Sequence, residues 1–141
     1  MSLITRSGIR KRQTVLIVDD EANLRVLVHQ TIESPMYQVI EARDGEEAWI
    51  LIKERRPALV LLDIKMPRRS GAEVLEWIRA HPALKNLRVT ILSSSPEQID
   101  RARAQELGIE EYVVKPTDFA GLLEVARSFC QRWGVARADK G

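Results

Sequence analysis

Five residues of this chain could do chemistry together: Asp19, Asp20, Asp63, Ser93 and Lys115. Each follows a short apolar run. Thr14–Val18 leads into Asp19-Asp20, Ala58–Leu62 into Asp63, Leu87–Leu92 into Ser93, and Glu111–Val114 into Lys115. Three carboxylates gathered in one pocket repel one another and require a cation or a raised pKa. No cysteine or histidine is placed to favour zinc, and an oxygen-only donor set with water suits octahedral Mg²⁺. Mg²⁺ beside a lysine neutralises a phosphoryl group in transfer. A carboxylate can then act as nucleophile and form an aspartyl phosphate. Asp63 is the candidate because its strand falls between those of Asp19 and Ser93. Lys115 would pair with phosphoryl oxygens as a point charge, and Ser93 would donate a hydrogen bond to one of them.

These residues converge only if the runs form one sheet. Apolar runs of the parallel-strand type recur at Thr14–Val18, Tyr37–Glu41, Ala58–Leu62, Leu87–Leu92 and Glu111–Val114. Between them lie stretches with helical spacing. The first, Ala22 to Ser34, carries Leu24, Leu27, Val28 and Ile32 and is stopped by Pro35. Asp44-Gly-Glu-Glu47 and Ser70-Gly-Ala-Glu73 are capping boxes that open the second and third helices. Ser95-Pro96-Glu97 opens a fourth helix, which Gly108 closes. The last begins near Thr117 or Asp118. Five strand–helix repeats predict a single-domain α/β fold: a (βα)5 doubly wound parallel sheet of the flavodoxin-like or CheY-like kind, strand order 2-1-3-4-5. Ligands of such sheets bind beyond the carboxyl ends of the strands, at the switch between strands one and three. The five polar residues fall there.

Composition excludes several classes. The chain has 141 residues, enough for one domain and a full core. It is 45% hydrophobic and 30% charged, which separates it from disordered chains. One cysteine, Cys130, excludes a disulfide framework and suits a reducing cytoplasm. No apolar stretch approaches the ~20 residues of a membrane span. The net charge is +2, but Arg6, Arg10, Lys11 and Arg12 all lie in residues 1–13, so the remainder is net negative. This argues against direct nucleic-acid binding by the domain. Residues 1–13 are expected to be a basic disordered arm, 14–133 the domain and 134–141 a frayed tail.

The motifs Val18-Asp19-Asp20, Leu62-Asp63-Ile64-Lys65-Met66-Pro67 with Gly71, Ile91-Leu92-Ser93-Ser94 and Tyr112-Val113-Val114-Lys115-Pro116 occur in this order. Together they resemble the receiver domain of bacterial two-component response regulators, from about Thr14 to Trp133. The resemblance implies that Asp63 accepts a phosphoryl group from the phosphohistidine of a histidine kinase. It implies Mg²⁺ held by Asp20, Asp63 and the backbone carbonyl of Lys65, with Asp19 acting through water. Ser93 and Lys115 would sense the phosphoryl group, and Tyr112 would turn inward when Ser93 shifts. Lys115-Pro116 matches a pair that usually has a cis peptide bond in the family. Lys65 lies at a position that bears on acyl-phosphate lifetime. Upstream partners would be a histidine kinase or phosphotransfer protein. A downstream target or a homodimer would use the face of helix 4, strand 5 and helix 5, with Arg101, Arg103, Tyr112 and Glu124.

Other readings stand beside this one. Asp20 is expected also to cap the first helix. His29 reads as surface or groove, His81 as a turn residue, and Trp49, Trp77 and Trp133 as helix-face packing. Cys130 reads as a small buried hydrophobe. A haloacid-dehalogenase-like phosphatase also uses an aspartate nucleophile and Mg²⁺, but its two aspartates are separated by one residue, whereas Asp19 and Asp20 are adjacent. A nucleotide-binding domain would carry a glycine-rich fingerprint after the first strand, and none is present.

Overall fold

The computed structural model describes residues 12–66, 68–94 and 97–139. Five strands, β1 (Gln13–Val18), β2 (Tyr37–Ala42), β3 (Leu59–Leu62), β4 (Arg88–Ser93) and β5 (Glu111–Val114), alternate with five helices. The helices are α1 (Ala22–Ile32), α2 (Gly45–Arg55), α3 (Gly71–Ala80), α4 (Gln98–Glu106) and α5 (Phe119–Asp139). The sheet is wholly parallel, in the order β2-β1-β3-β4-β5, as the sequence predicts.

Side chains alternate across a strand, so each strand feeds two cores. Leu16 and Val18 of β1, Val60 and Leu62 of β3, and Val89 and Ile91 of β4 face α2 and α3, meeting Ile52, Leu75 and Ile78. Val15 and Ile17, Leu59 and Leu61, and Leu92 face α1 and α5, meeting Val28, Ile32 and Phe129. Four successive residues of β1, Val15 to Val18, are each no more than 1% exposed. That is why the run is uninterrupted instead of alternating. Trp133 stacks on Phe129 at 5.5 Å and meets the edge of Tyr37, while Trp49 packs on Trp77. All three tryptophans pack as expected.

Local signals explain most helix ends. The Asp44 carboxylate accepts from Glu47 N at 2.9 Å and the Ser70 hydroxyl from Glu73 N at 3.3 Å, so both expected caps form. Arg56, with φ 46°, closes α2, and Gly108, with φ 77°, follows α4. Three expectations need correction. Helix α1 is capped at Glu21 without a side-chain bond, so Asp20 is not its cap. The Lys115–Pro116 bond is not cis, and no cis peptide occurs among the described residues. Helix α5 runs to Asp139, past the expected start of a tail at residue 134. Ser95 and Pro96, read as the opening of α4, lie outside the described residues, as do residues 1–11 of the expected arm.

Two residues fix the loops around the strand ends. Gly71 donates its N–H to Ile64 O at 2.8 Å. A Cβ there would stand 2.0 Å from the Asp63 carbonyl oxygen, so only glycine lets α3 start this close to the loop after β3. At the other end of α3, Arg79 spreads its guanidinium over four carbonyls: Leu107 at 2.6 Å, Gly108 at 2.6 Å, Leu87 at 2.8 Å and Lys85 at 2.9 Å. It thereby ties the ends of α3 and α4 to the start of β4. Gly71→Ala should overpack this contact and destabilise the fold by about 1–3 kcal/mol, read as a lower urea midpoint. Arg79→Ala should cost about 1–3 kcal/mol in the same measurement, because it strips charge-assisted bonds from four loop carbonyls.

Candidate functional site

Strand register brings the sequence-predicted residues together. Val18 pairs with Leu62 in the β1–β3 ladder, so Asp19 and Asp63 emerge side by side. The ladder carries on for one bond beyond that pair, from Asp63 N to Val18 O at 3.0 Å. Across the sheet, Ser93 pairs with Val114, and Lys115 N donates to Ser93 O at 2.8 Å. Ser93 is the last residue of β4 and is fully buried, where the sequence reading placed it just beyond the strand. All five residues meet at the carboxyl edge of the sheet, at the switch between β1 and β3.

The centre of the site is a charge cluster. The Lys115 ammonium stands 2.8 Å from Asp19 Oδ2, 3.0 Å from Glu21 Oε1 and 3.2 Å from Asp63 Oδ2. Its side chain is 7% exposed, and those of Asp19 and Asp63 are 2% and 3% exposed. The Ser93 hydroxyl also hydrogen-bonds the Asp63 carboxylate. Asp63 Oδ1 accepts from Lys65 N at 3.2 Å, and Asp19 Oδ1 from Glu21 N at 2.9 Å.

Burial decides the acidities. Desolvation pushes the Asp19 carboxyl up to about 6, against the opposing pull of Lys115. Desolvation also raises Asp63, and Lys115 and Ser93 only partly offset it. For Lys115 burial works against the charge, but its bond to Asp19 and the fields of Asp19 and Asp63 outweigh it, so its pKa is raised. The site therefore holds a permanent ammonium against carboxylates that burial makes costly to ionise.

Asp20 completes the cluster from the exposed rim. Asp19, Asp20 and Asp63 each offer a carboxylate oxygen within 4.8 Å of the others. One ammonium cannot balance these carboxylates, and the donors are all oxygen. A hard divalent cation fits both facts.

The remaining expected residues are placed less centrally. Tyr112 is half-buried on β5 against the α2–α3 core, with the Arg101 guanidinium 5.0 Å above its ring. The Lys65 ammonium turns toward α4, 3.0 Å from Glu97 and 3.8 Å from Asp100. Arg103, expected on the output face, pairs with Glu76 of α3. His29 sits half-exposed in the groove between α1 and β2, with Glu33 and Glu41 against its two ring nitrogens. Cys130 is half-buried and packs against the core under α1 and α5.

Sequence reasoning missed Glu21. An acid directly after Asp19-Asp20 was the available signal, yet only the fold shows it reaching Lys115, 94 residues away.

The match to known proteins follows this geometry. The family model for the response regulator receiver domain matches residues 15–127. The polar-differentiation response regulator DivK of Brucella anthropi is 31% identical over 118 residues, covering 84% of this chain and 95% of its own. The probable transcriptional regulator ycf27 of Porphyridium aerugineum is 36% identical over 129 residues, covering 92% of this chain; the chain spans about half (52%) of that relative's length. Among solved structures, the phosphorylated cyanobacterial phytochrome response regulator RcpA superposes with a TM-score of 0.81 at 26% identity, over 86% of this chain and 94% of that one. The Mn²⁺-bound form of the response regulator Rcp1 superposes with a TM-score of 0.78 at 26% identity, with the same coverage of 86% and 94%. These likenesses support a phosphoacceptor signalling module and not the haloacid-dehalogenase-like phosphatase. With the motifs carried at the switch point of a 2-1-3-4-5 sheet and a family model covering most of its length, this chain belongs to the response regulator receiver family.

Proposed function

We propose that Asp63 is the phosphoacceptor of this receiver. The observation that carries the reading is its buried carboxylate, held between the Lys115 ammonium at 3.2 Å and the Ser93 hydroxyl, beside Asp19 and Asp20. Burial makes the Asp63 carboxylate poorly solvated, which favours its attack on phosphorus once its negative charge is offset. Lys115 stays protonated and offers a fixed positive charge to the oxygens of the incoming phosphoryl group. Ser93, on the next strand, donates its hydroxyl to one of those oxygens. Both side chains must leave their present partners to do so, and that exchange is what the rest of the molecule can read.

Mg²⁺ bound by Asp20, Asp63 and the Lys65 carbonyl, with Asp19 acting through water, would offset charge on the transferring phosphoryl oxygens. The phosphoryl group comes from the phosphohistidine of a histidine kinase or phosphotransfer protein. Tyr112 is the switch residue that follows Ser93. A downstream target, or a second copy of the chain, meets the face of α4, β5 and α5. The module works in the cytoplasm and turns over no separate substrate.

Incubation of the chain with Mg²⁺ and acetyl phosphate should add one phosphoryl group per molecule at Asp63, seen by intact mass and by mapping. Asp63→Asn should take up none. Catalytic turnover of assorted phosphate esters would instead favour a phosphatase and sink the proposal.

The acidity of Asp19 sets a pH dependence. Its folded pKa of about 6 lies above the ordinary 3.8, so the proton is taken up as pH falls through 6 and then competes with the metal. Mg²⁺ affinity, measured by calorimetry, should therefore be level above pH 7 and fall by up to about tenfold per pH unit below 6. Without metal the sign is opposite. Between pH 3.8 and about 6 the folded chain holds a proton there that the unfolded chain releases, so metal-free stability should decline as pH rises through that window.

A further inference from the structure

The described side chains of helix α4 are mostly polar. Asp100, Arg101, Arg103 and Glu106 make four of its nine residues charged. Among its described side chains only Ala104 is buried. A small cavity of about 20 Å³ lies beneath it, lined in part by Ile64, Leu75, Ala104 and Leu107. The helix's described polar side chains link it to its neighbours. Arg103 ties it to Glu76 of α3, and Arg101 lies over the Tyr112 ring. Among the described residues, Lys65 links it to the loop after Asp63.

Lys65 spans the two sites by itself. Its amide donates to Asp63 Oδ1 at 3.2 Å, while its ammonium reaches Glu97, the N-cap residue of α4, at 3.0 Å and Asp100 in the first turn at 3.8 Å. The ammonium and Glu97 are both about half exposed, at 52% and 57%, so water and salt weaken their attraction. A phosphoryl group carries more charge than a carboxylate and accepts stronger charge-assisted bonds. Placed on Asp63, it would stand within the swing of the flexible four-carbon stem of Lys65.

We propose that Lys65 is a latch: its ammonium holds the first turn of α4 against the acceptor loop, and a phosphoryl group on Asp63 draws it away from Glu97 and Asp100 and frees that turn. The inference rests on Asp63 being the phosphoacceptor. It gives α4 a release that operates through the loop after Asp63 and not through Lys115.

Amide hydrogen exchange on the full chain tests it, reading residues 101–104, whose first closing bond runs from Arg101 N to Glu97 O at 3.2 Å. In the unmodified chain these amides should exchange about two- to fivefold faster after acetyl phosphate and Mg²⁺ are added, the range that loss of an exposed ion pair supports. Lys65→Met should show that faster exchange without the donor and no further rise with it. Glu97→Gln combined with Asp100→Asn should do the same from the helix side, while still accepting one phosphoryl group by mass. Exchange in both variants equal to that of the unmodified chain before phosphorylation, or an undiminished rise after it, overturns the latch. Absence of a phosphoryl mass on Asp63 of the unmodified chain overturns the acceptor reading instead, and the comparison without donor still decides the latch.

Discussion

The ammonium of Lys115, enclosed by the carboxylates of Asp19 and Asp63, is the contact on which this molecule turns. Taking such groups out of water is costly, and each is tolerable only because the other is there. The fold keeps them together by placing them at the ends of β1, β3 and β5, where regular strands deliver side chains to fixed positions. The resulting balance is incomplete by design of composition: acids outnumber the one enclosed amine. The pocket is thus disposed toward further positive charge and, through it, toward an anion.

The sheet around this contact is rigid and its surroundings are less so. Strands β1 and β3 are buried on both faces, with side chains from four helices closed over them. Gly71 seats α3 against the loop after Asp63, and Arg79 binds the far ends of α3 and α4 to the sheet. Among the described side chains of helix α4, charged ones make the links to α3 and to Lys65 and only Ala104 is buried. The close-packed core and the described, mostly charged side chains of α4 are therefore held to the sheet by different kinds of contact.

Much of this was legible in the residue order. Uninterrupted apolar runs ending in Asp19 and Asp63 mark strands covered on both sides, and the capping residues Asp44 and Ser70 mark where α2 and α3 begin. These signals are local, and the structure bears them out. The failures are equally instructive. Aspartate near a helix start commonly caps it, but Glu21 occupies the cap position of α1 and Asp20 is left at the rim of the cluster. Residues 134–139 carry too little apolar pattern to announce a helix, yet α5 continues through them.

The alternation of strand and helix and the polar residues that end the strands were readable from the residue order, because hydrophobic period and capping chemistry act over a few residues; the strand order was readable only through the precedent of doubly wound sheets. Only the tertiary structure decided which partner each charge takes. Lys115 could have met any acid near the edge, and it is register that delivers it to Asp19, Glu21 and Asp63 together. Lys65 could have faced Asp63, and it is the approach of α4 that draws its ammonium to Glu97. Electrostatic pairing depends on distance and burial in space, and neither is a property of neighbouring positions along the chain.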